Sequence, residues 1–234
     1  MTVEHEGVQI DWFGYATVRL EGPSGTVVYL DPGRYGVLDD RRPEDGTLVC
    51  VTHDHHYDSD GIDRVAREDA AVIVYDGVDA ARIDRDVRPV EELPYDVRRI
   101  GEEDRATVAG VTIWSVPAYN EPDGPHTVAD GTPSHPKGFG IGYLLSIDGI
   151  SVFWPGDSDA LEGHRAIETG ILLPPIGGAF TMDRHEAADL AETMAPDLVV
   201  PIHYDTFEAI EADAEAFATE LADRDVRVEI ETPA

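Results

Sequence analysis

Apolar residues along this chain fall into short alternating or continuous runs broken by Gly, Pro and Asp, and the spacing predicts strands more often than helices. In the first third, strands are expected over 8–13, 16–21 and 26–31, the last after a Pro-Ser-Gly turn. A loop rich in Arg, Asp, Pro and Gly leads to a short apolar strand over 47–52, which runs directly into His53-Asp-His-His-Tyr-Asp58. Residues 62–66 read as a helix, 71–75 as a strand and 78–83 as a second short helix. Paired strands are expected over 105–109 and 111–116, followed by a long loop over 118–137 with several Pro and Gly. Asp148-Gly149, between apolar runs at 139–147 and 150–154, predicts a hairpin.

The last third alternates strand and helix. A strand is expected over 170–174. Asp183 with Glu186 three residues later has the form of a capping box. Ala187, Leu190, Ala191 and Met194 then follow the i, i+3, i+4, i+7 spacing of a buried helix face. A strand over 197–202 ends at His203, a helix is expected over 207–223, and a strand over 226–230 closes the chain. The pattern predicts an α/β protein with sheets inside and helices outside. No linker or repeat divides it, so residues 1–234 are expected to form one domain.

Composition narrows the class. A chain of 234 residues with 42% apolar side chains can bury a substantial core. No apolar run approaches the roughly 20 residues needed to cross a bilayer, and the N-terminus lacks the basic and apolar segments of a signal peptide. A cytoplasmic protein without a membrane partner is therefore expected. Cys50, the only cysteine, lies in an apolar run and reads as a packed thiol.

The net charge is −31, from 48 acidic and 17 basic residues, and Lys137 is the single lysine. Acidic residues spread along the chain favour solvation of the whole surface over an acidic tail. The composition resembles that of cytoplasmic proteins from salt-accumulating halophiles, in which molar salt screens self-repulsion. Nucleic acid is disfavoured as a partner, because its binding depends on Lys and Arg neutralising phosphates. A small-molecule substrate fits better, and a homo-oligomer is compatible with the sequence.

Candidate chemistry gathers where apolar strands end. His53 and His55 follow Val49-Cys-Val-Thr52, Asp157 follows Val152-Phe-Trp-Pro-Gly156, His203 follows Leu198-Val-Val-Pro-Ile202, and His135 precedes the run starting at Phe139. Rigid strands presenting side chains from one edge are a recurring form of ligand site. Imidazoles with a carboxylate suit zinc or another divalent transition metal.

His-x-His, a lone His, Gly-Asp-Ser-Asp and a final His after a strand occur here in an order that resembles the metallo-β-lactamase superfamily. The stretches Trp12-Phe-Gly-Tyr-Ala-Thr17, Leu30-Asp-Pro32, Val116-Pro-Ala-Tyr-Asn120, His135-Pro-Lys-Gly138, Pro155-Gly-Asp-Ser-Asp159 and Pro201-Ile-His-Tyr204 are most similar to small stand-alone metal-dependent hydrolases related to ascorbate-6-phosphate lactonase. The resemblance implies an αββα sandwich of two mixed β-sheets. It also implies a hydrolase in which His53, His55 and His135 hold one metal, Asp157 bridges to a second, and His203 binds the second. A metal-activated hydroxide would attack a small ester, lactone or phosphodiester. The cofactor would be one or two divalent ions, zinc first and manganese as the alternative. A nuclease-type phosphodiesterase of the same superfamily and a non-catalytic metal-binding protein are the rival readings.

The chain departs from the family at one point. Relatives usually read His-x-His-x-Asp-His; here Tyr57 stands in place of the carboxylate and Asp58 in place of the last histidine. Asp58 is the expected replacement ligand, and with Asp157 the expected catalytic carboxylate. A one-residue shift recruiting His56, or a single tightly bound ion, are the alternatives. Asp31, Asp54, Tyr57, His126 and Lys137 are further candidates for orienting ligands or meeting substrate, and Tyr15 replaces a histidine common in relatives.

Overall fold

The computed structural model describes residues 2–233. Its first sheet is laid down in chain order: β1 (Val3–His5), β2 (Val8–Gly14), β3 (Thr17–Glu21), β4 (Val27–Leu30), β5 (Gly46–Val51), β6 (Ala66–Tyr75) and β7 (Asp96–Ile100). Antiparallel hairpins join β1 to β4, whereas β4, β5, β6 and β7 run parallel. The second sheet contains β8 (Arg105–Val108), β9 (Val111–Ala118), β10 (Gly140–Ile147), β11 (Ile150–Trp154), β12 (Ile171–Leu172) and β13 (Leu198–Val199), with spatial order β13-β12-β11-β10-β9-β8. It too is mixed: β8 to β11 are antiparallel, and β12 and β13 join in parallel. Helices α1 (Ser59–Val65), α2 (Glu162–Arg165), α3 (Arg184–Met194) and α4 (Ala214–Ala222) complete the αββα sandwich.

Burial along each strand follows its place in the layers. Every residue of β4 and β5 is buried, as expected for parallel strands covered on both faces. In β9 buried and half-buried positions alternate, so one face meets the core. Trp12, Tyr29, Tyr143, Phe153 and Trp154 are fully buried. Tyr143 donates from its hydroxyl to the Val51 carbonyl at 2.8 Å, and Ile141 N donates to Thr52 O at 3.2 Å, stitching the sheets together where β5 ends.

Several expected elements are shorter than their patterns suggest, and the strands expected over 170–174 and 197–202 reduce to Ile171–Leu172 and Leu198–Val199. Residues 78–83 contain only a 3₁₀ turn, Ala80–Arg82, capped by the Asp79 carboxylate. The helix expected over 207–223 is split. Asp205 Oδ1 takes the Ala212 amide and Asp213 Oδ1 takes the Ala216 amide, so α4 restarts at Ala214 after a separate 3₁₀ turn, Glu208–Ile210. These side chains compete for backbone donors that a continuous helix would use. Residues 226–230 contribute one parallel bridge, Val199 to Val228. The capping box at Asp183 forms as expected.

Candidate metal centre

The carboxyl ends of the parallel strands converge on one point, the usual place for a site in such sheets. After β4 comes Asp31, after β5 come His53, His55 and His56, after β11 comes Asp157, and after β13 comes His203. His135 arrives from the loop before β10, where His53 bridges Gly140. Gly156 has φ +71°, and a Cβ there would lie 2.6 Å from Ile141 O, so glycine allows β11 to turn Asp157 into the cleft.

Asp157 is the hub, and its two oxygens face different histidines. Oδ2 lies 3.7 Å from His53 Nε2 and 3.4 Å from His135 Nε2. Oδ1 lies 3.4 Å from His56 Nε2 and 3.3 Å from His203 Nε2. His55 Nδ1 is 3.2 Å from His135 Nε2. Donor atoms of His53, His55 and His135 fall within 4.8 Å of one another, as do those of His53, His56 and Asp157.

The surroundings fix which nitrogens are free. Asp31 Oδ1 accepts from Thr52 N (2.8 Å), while its Oδ2 accepts from Thr52 Oγ1 (2.9 Å) and Trp154 Nε1 (2.8 Å). With its own proton committed to Asp31, the Thr52 hydroxyl can only accept from His53 Nδ1, at 2.9 Å. His56 Nδ1 lies 3.0 Å from Asp31 Oδ2 and 3.1 Å from the same hydroxyl. His135 Nδ1 donates to Phe180 O at 3.1 Å. Each of these rings therefore turns a bare Nε2 inward. Acceptors behind the ring are what hold metal-binding histidines in one tautomer.

Electrostatics agree with a site prepared for cations. Burial, then repulsion from neighbouring histidines, pushes His53 well below its usual range and His55 down to about 4. Burial also lowers His135. Burial works against the Asp157 charge, but His203 and His56 outweigh it and hold the carboxyl well below its ordinary value. Burial opposes protonation of His56 too, yet the Asp157 and Asp31 carboxylates prevail and raise its pKa.

The residues present fit metal ions. Nε2 of His53, His56 and His203 and Oδ1 of Asp157 are buried without a hydrogen-bond partner among the described residues. Such orphans cost about 1–3 kcal/mol each, a cost that coordination removes. The atoms divide into two sets that share Asp157: His53 Nε2, His55 Nδ1, His135 Nε2 and Oδ2 on one side, His56 Nε2, His203 Nε2 and Oδ1 on the other.

Asp58 is outside both sets, which corrects the expectation that it replaces the missing histidine ligand and serves as a catalytic carboxylate. Its Oδ1 caps α1 by accepting from Asp60 N and Gly61 N at 3.1 and 3.0 Å, and its Oδ2 accepts from Arg34 N at 3.0 Å. His56, two positions before the place of the family's last histidine, occupies the inward position. Tyr57 points elsewhere, donating to Arg88 O at 2.6 Å. Lys137 lies in a different cleft, 5.6 Å from the Tyr119 ring centroid. Asp54 accepts from Asp79 N at 2.8 Å and pairs with Arg82 at 3.1 Å, bracing the loop behind His55.

His126 bonds Asp159 at 2.6 Å, and Asp159 also accepts from Asn120 Nδ2 at 2.8 Å. Asn120 Oδ1 in turn accepts from His135 N at 2.7 Å. Asn120, Asp159 and Thr52 thus position ligands, although nothing in their local spacing marks them apart from turn residues. Tyr15 lays its ring 4.3 Å from that of His203 and edge-on to His56 at 5.0 Å.

A family model described as the beta-lactamase superfamily domain matches residues 9–203. The chain is 31% identical over 218 residues to a UPF0173 metal-dependent hydrolase of Methanosphaerula palustris, covering 90% of this chain and 89% of the relative. It is 32% identical over 230 residues to another from Pyrococcus horikoshii, covering 93% of each. Among solved structures, a metallo hydrolase from Ignicoccus hospitalis is similar with a TM-score of 0.72 at 23% identity, covering 97% of this chain and 96% of that one.

Proposed function

This chain belongs to the metallo-β-lactamase superfamily as a metal-dependent hydrolase, and we propose that it works with two divalent ions on a small ester, lactone or phosphodiester. The observation that carries the two-ion reading is the division of the Asp157 oxygens between two sets of imidazoles. His53, His55 and His135 would hold one ion, His56 and His203 the other, and Asp157 would bridge them. Five imidazoles with one carboxylate suit zinc, and manganese would ask for more oxygen donors.

When bound, divalent ions supply a lowered water pKa, from about 15.7 to about 7, and polarisation of the attacked carbonyl or phosphoryl oxygen. The remaining work falls to the chain. Asp31, Thr52 and the Phe180 carbonyl hold His56, His53 and His135 with lone pairs inward. Tyr15 covers His203 and His56 with a buried ring, keeping bulk water from that side. The cleft above Asp157 and His135 has a volume of about 260 Å³, a little under the roughly 300–1,000 Å³ of common ligand sites, so a small substrate is favoured.

The test is a panel of small esters, lactones and phosphodiesters assayed with zinc-loaded and chelator-treated protein. Turnover of at least one class that disappears on chelation and returns with metal is expected. Stoichiometric zinc binding with no turnover of any class would leave the chain a metal-binding protein without this activity.

A further inference from the structure

Two clefts open beside His55 and share Arg34. The first is lined by Tyr15, Tyr35, Val128, Phe180 and Phe207 above His135 and Asp157. Among the described residues, the exposed large apolar side chains are Tyr35 (48%), Val128 (49%) and Phe180 (37%), and all three stand here. Scattered apolar residues on a surface need no explanation, but their collection at one concave place does. From His203 the rings continue outward: Tyr15 to Tyr35 at 4.8 Å between centroids, then Tyr35 to Phe207 at 4.7 Å. The aromatic wall runs without a break from a metal-site histidine to solvent.

The second cleft, of about 410 Å³, is lined by Arg34, Arg82 and Arg85 with Asp54, Asp84 and Phe139. Arg82 is paired with Asp54 at 3.1 Å. Arg34 and Arg85 have no carboxylate within 4.0 Å among the described residues, whereas most arginines of this chain do. With 48 acidic side chains available against 17 basic ones, arginines without a carboxylate partner are a minority, Arg41 and Arg105 being the others among the described residues. Arg34 lies 4.4 Å from the centroid of the Tyr35 ring. Both guanidiniums donate to the same oxygen, the His55 carbonyl, at 2.9 Å from Arg34 Nε and 3.3 Å from Arg85. The backbone presenting Arg34 and Tyr35 is left-handed at both residues, φ 45° and 54°. Such conformations are strained for residues other than glycine and gather at functional sites. Asp58 pins this loop through the Arg34 amide.

We infer that the substrate is a small organic anion whose apolar group lies on the Tyr35, Phe180 and Phe207 wall and whose oxyanion is bound by Arg34 and Arg85, with the bond to be broken between them beside His55. This rests on the hydrolase reading above and narrows its substrate class. Guanidinium forks match carboxylate and phosphate oxygens, and in a chain of net charge −31 an anion needs such a local positive pair to enter.

Binding without turnover tests this separately from catalysis. Zinc-loaded protein, held at constant molar KCl, is titrated with phenylacetate, acetate and benzyl alcohol. Phenylacetate should bind at least about tenfold more tightly than either fragment. Tyr35→Ala and Phe180→Ala should bring its affinity down toward that of acetate, and Arg34→Gln and Arg85→Gln toward that of benzyl alcohol. Zinc content should stay at the wild-type value in all four. Phenylphosphonate is run in parallel, and the oxyanion whose affinity falls further in the two arginine variants names the group. Equal affinity of phenylacetate in the wild type and both arginine variants would overturn it, because the carboxylate would then be held by metal alone. If the ester and lactone panel fails while these affinities behave as stated, the hydrolase reading falls and the binding assignment stands.

Discussion

His56 Nδ1 lies 3.0 Å from Asp31 Oδ2, with both side chains fully buried. The pair joins the end of β4 to the loop after β5 and turns His56 Nε2 toward Asp157 Oδ1 at 3.4 Å. Asp31 is held in turn by Thr52 and Trp154, so the orientation of the ring is set by two strands and not by the loop itself.

Asp31→Asn should therefore weaken one ion selectively. An amide can present N–H to His56 Nδ1, which would favour the tautomer with Nε2 protonated and unable to bind metal. Loss of such a supporting partner typically costs about 10–100-fold in metal affinity. Zinc titration with a competing chelator should show one weakened and one unchanged equivalent; two unchanged equivalents would mean the pair does not orient His56.

Asp58→Ala should lower stability without removing metal. The carboxylate caps α1 and ties down Arg34 N, and loss of a cap costs about 0.5–2 kcal/mol. A lower denaturation midpoint with unchanged zinc content is expected. Loss of one zinc would restore Asp58 to the ligand set.

Glu231 is buried, accepting from Trp12 N at 2.8 Å with one oxygen and leaving the other without a partner among the described residues. Burial pushes its carboxyl from 4.5 up to about 7. The folded state therefore binds this proton more tightly than the unfolded chain. The favourable contribution is complete below about pH 4.5 and is lost as pH rises through about 7. Glu231→Gln should melt higher than the wild type at pH 8, by of order 2 kcal/mol in stability, with the difference closing toward pH 4.5. A difference independent of pH would refute the assignment.

The net charge of −31 predicts a salt requirement. Molar KCl shortens the screening length to about 3 Å, and the melting temperature should rise steadily from dilute buffer to molar salt. A flat or falling series would show that self-repulsion is not what limits this fold.

Much of this architecture was legible in the chain because strands here are apolar and sharply bounded. The run into His53, the Asp148-Gly149 hairpin and the Asp183 capping box all appear where local pattern places them. Edge strand β7 has no strand signal because three of the five residues of Asp96-Val-Arg-Arg-Ile100 are charged, and an edge strand needs no apolar alternation. The split before α4 was hidden because Asp205 and Asp213 suit a helix surface as well as a cap. Within the site, ligands at strand ends could be read from sequence. The choice between His56 and Asp58 could not, since it depends on where the loop turns and on Asp31, 25 positions from His56. Arg34 and Arg85 carried no local signal, because only the fold brings them to one carbonyl.

Metal stoichiometry tests the central claim most directly. Elemental analysis of purified, zinc-loaded protein should give two ions per chain, falling to one in His56→Ala while the folded state is retained. One ion in the wild type, or two persisting in His56→Ala, would contradict a centre divided across the two oxygens of Asp157.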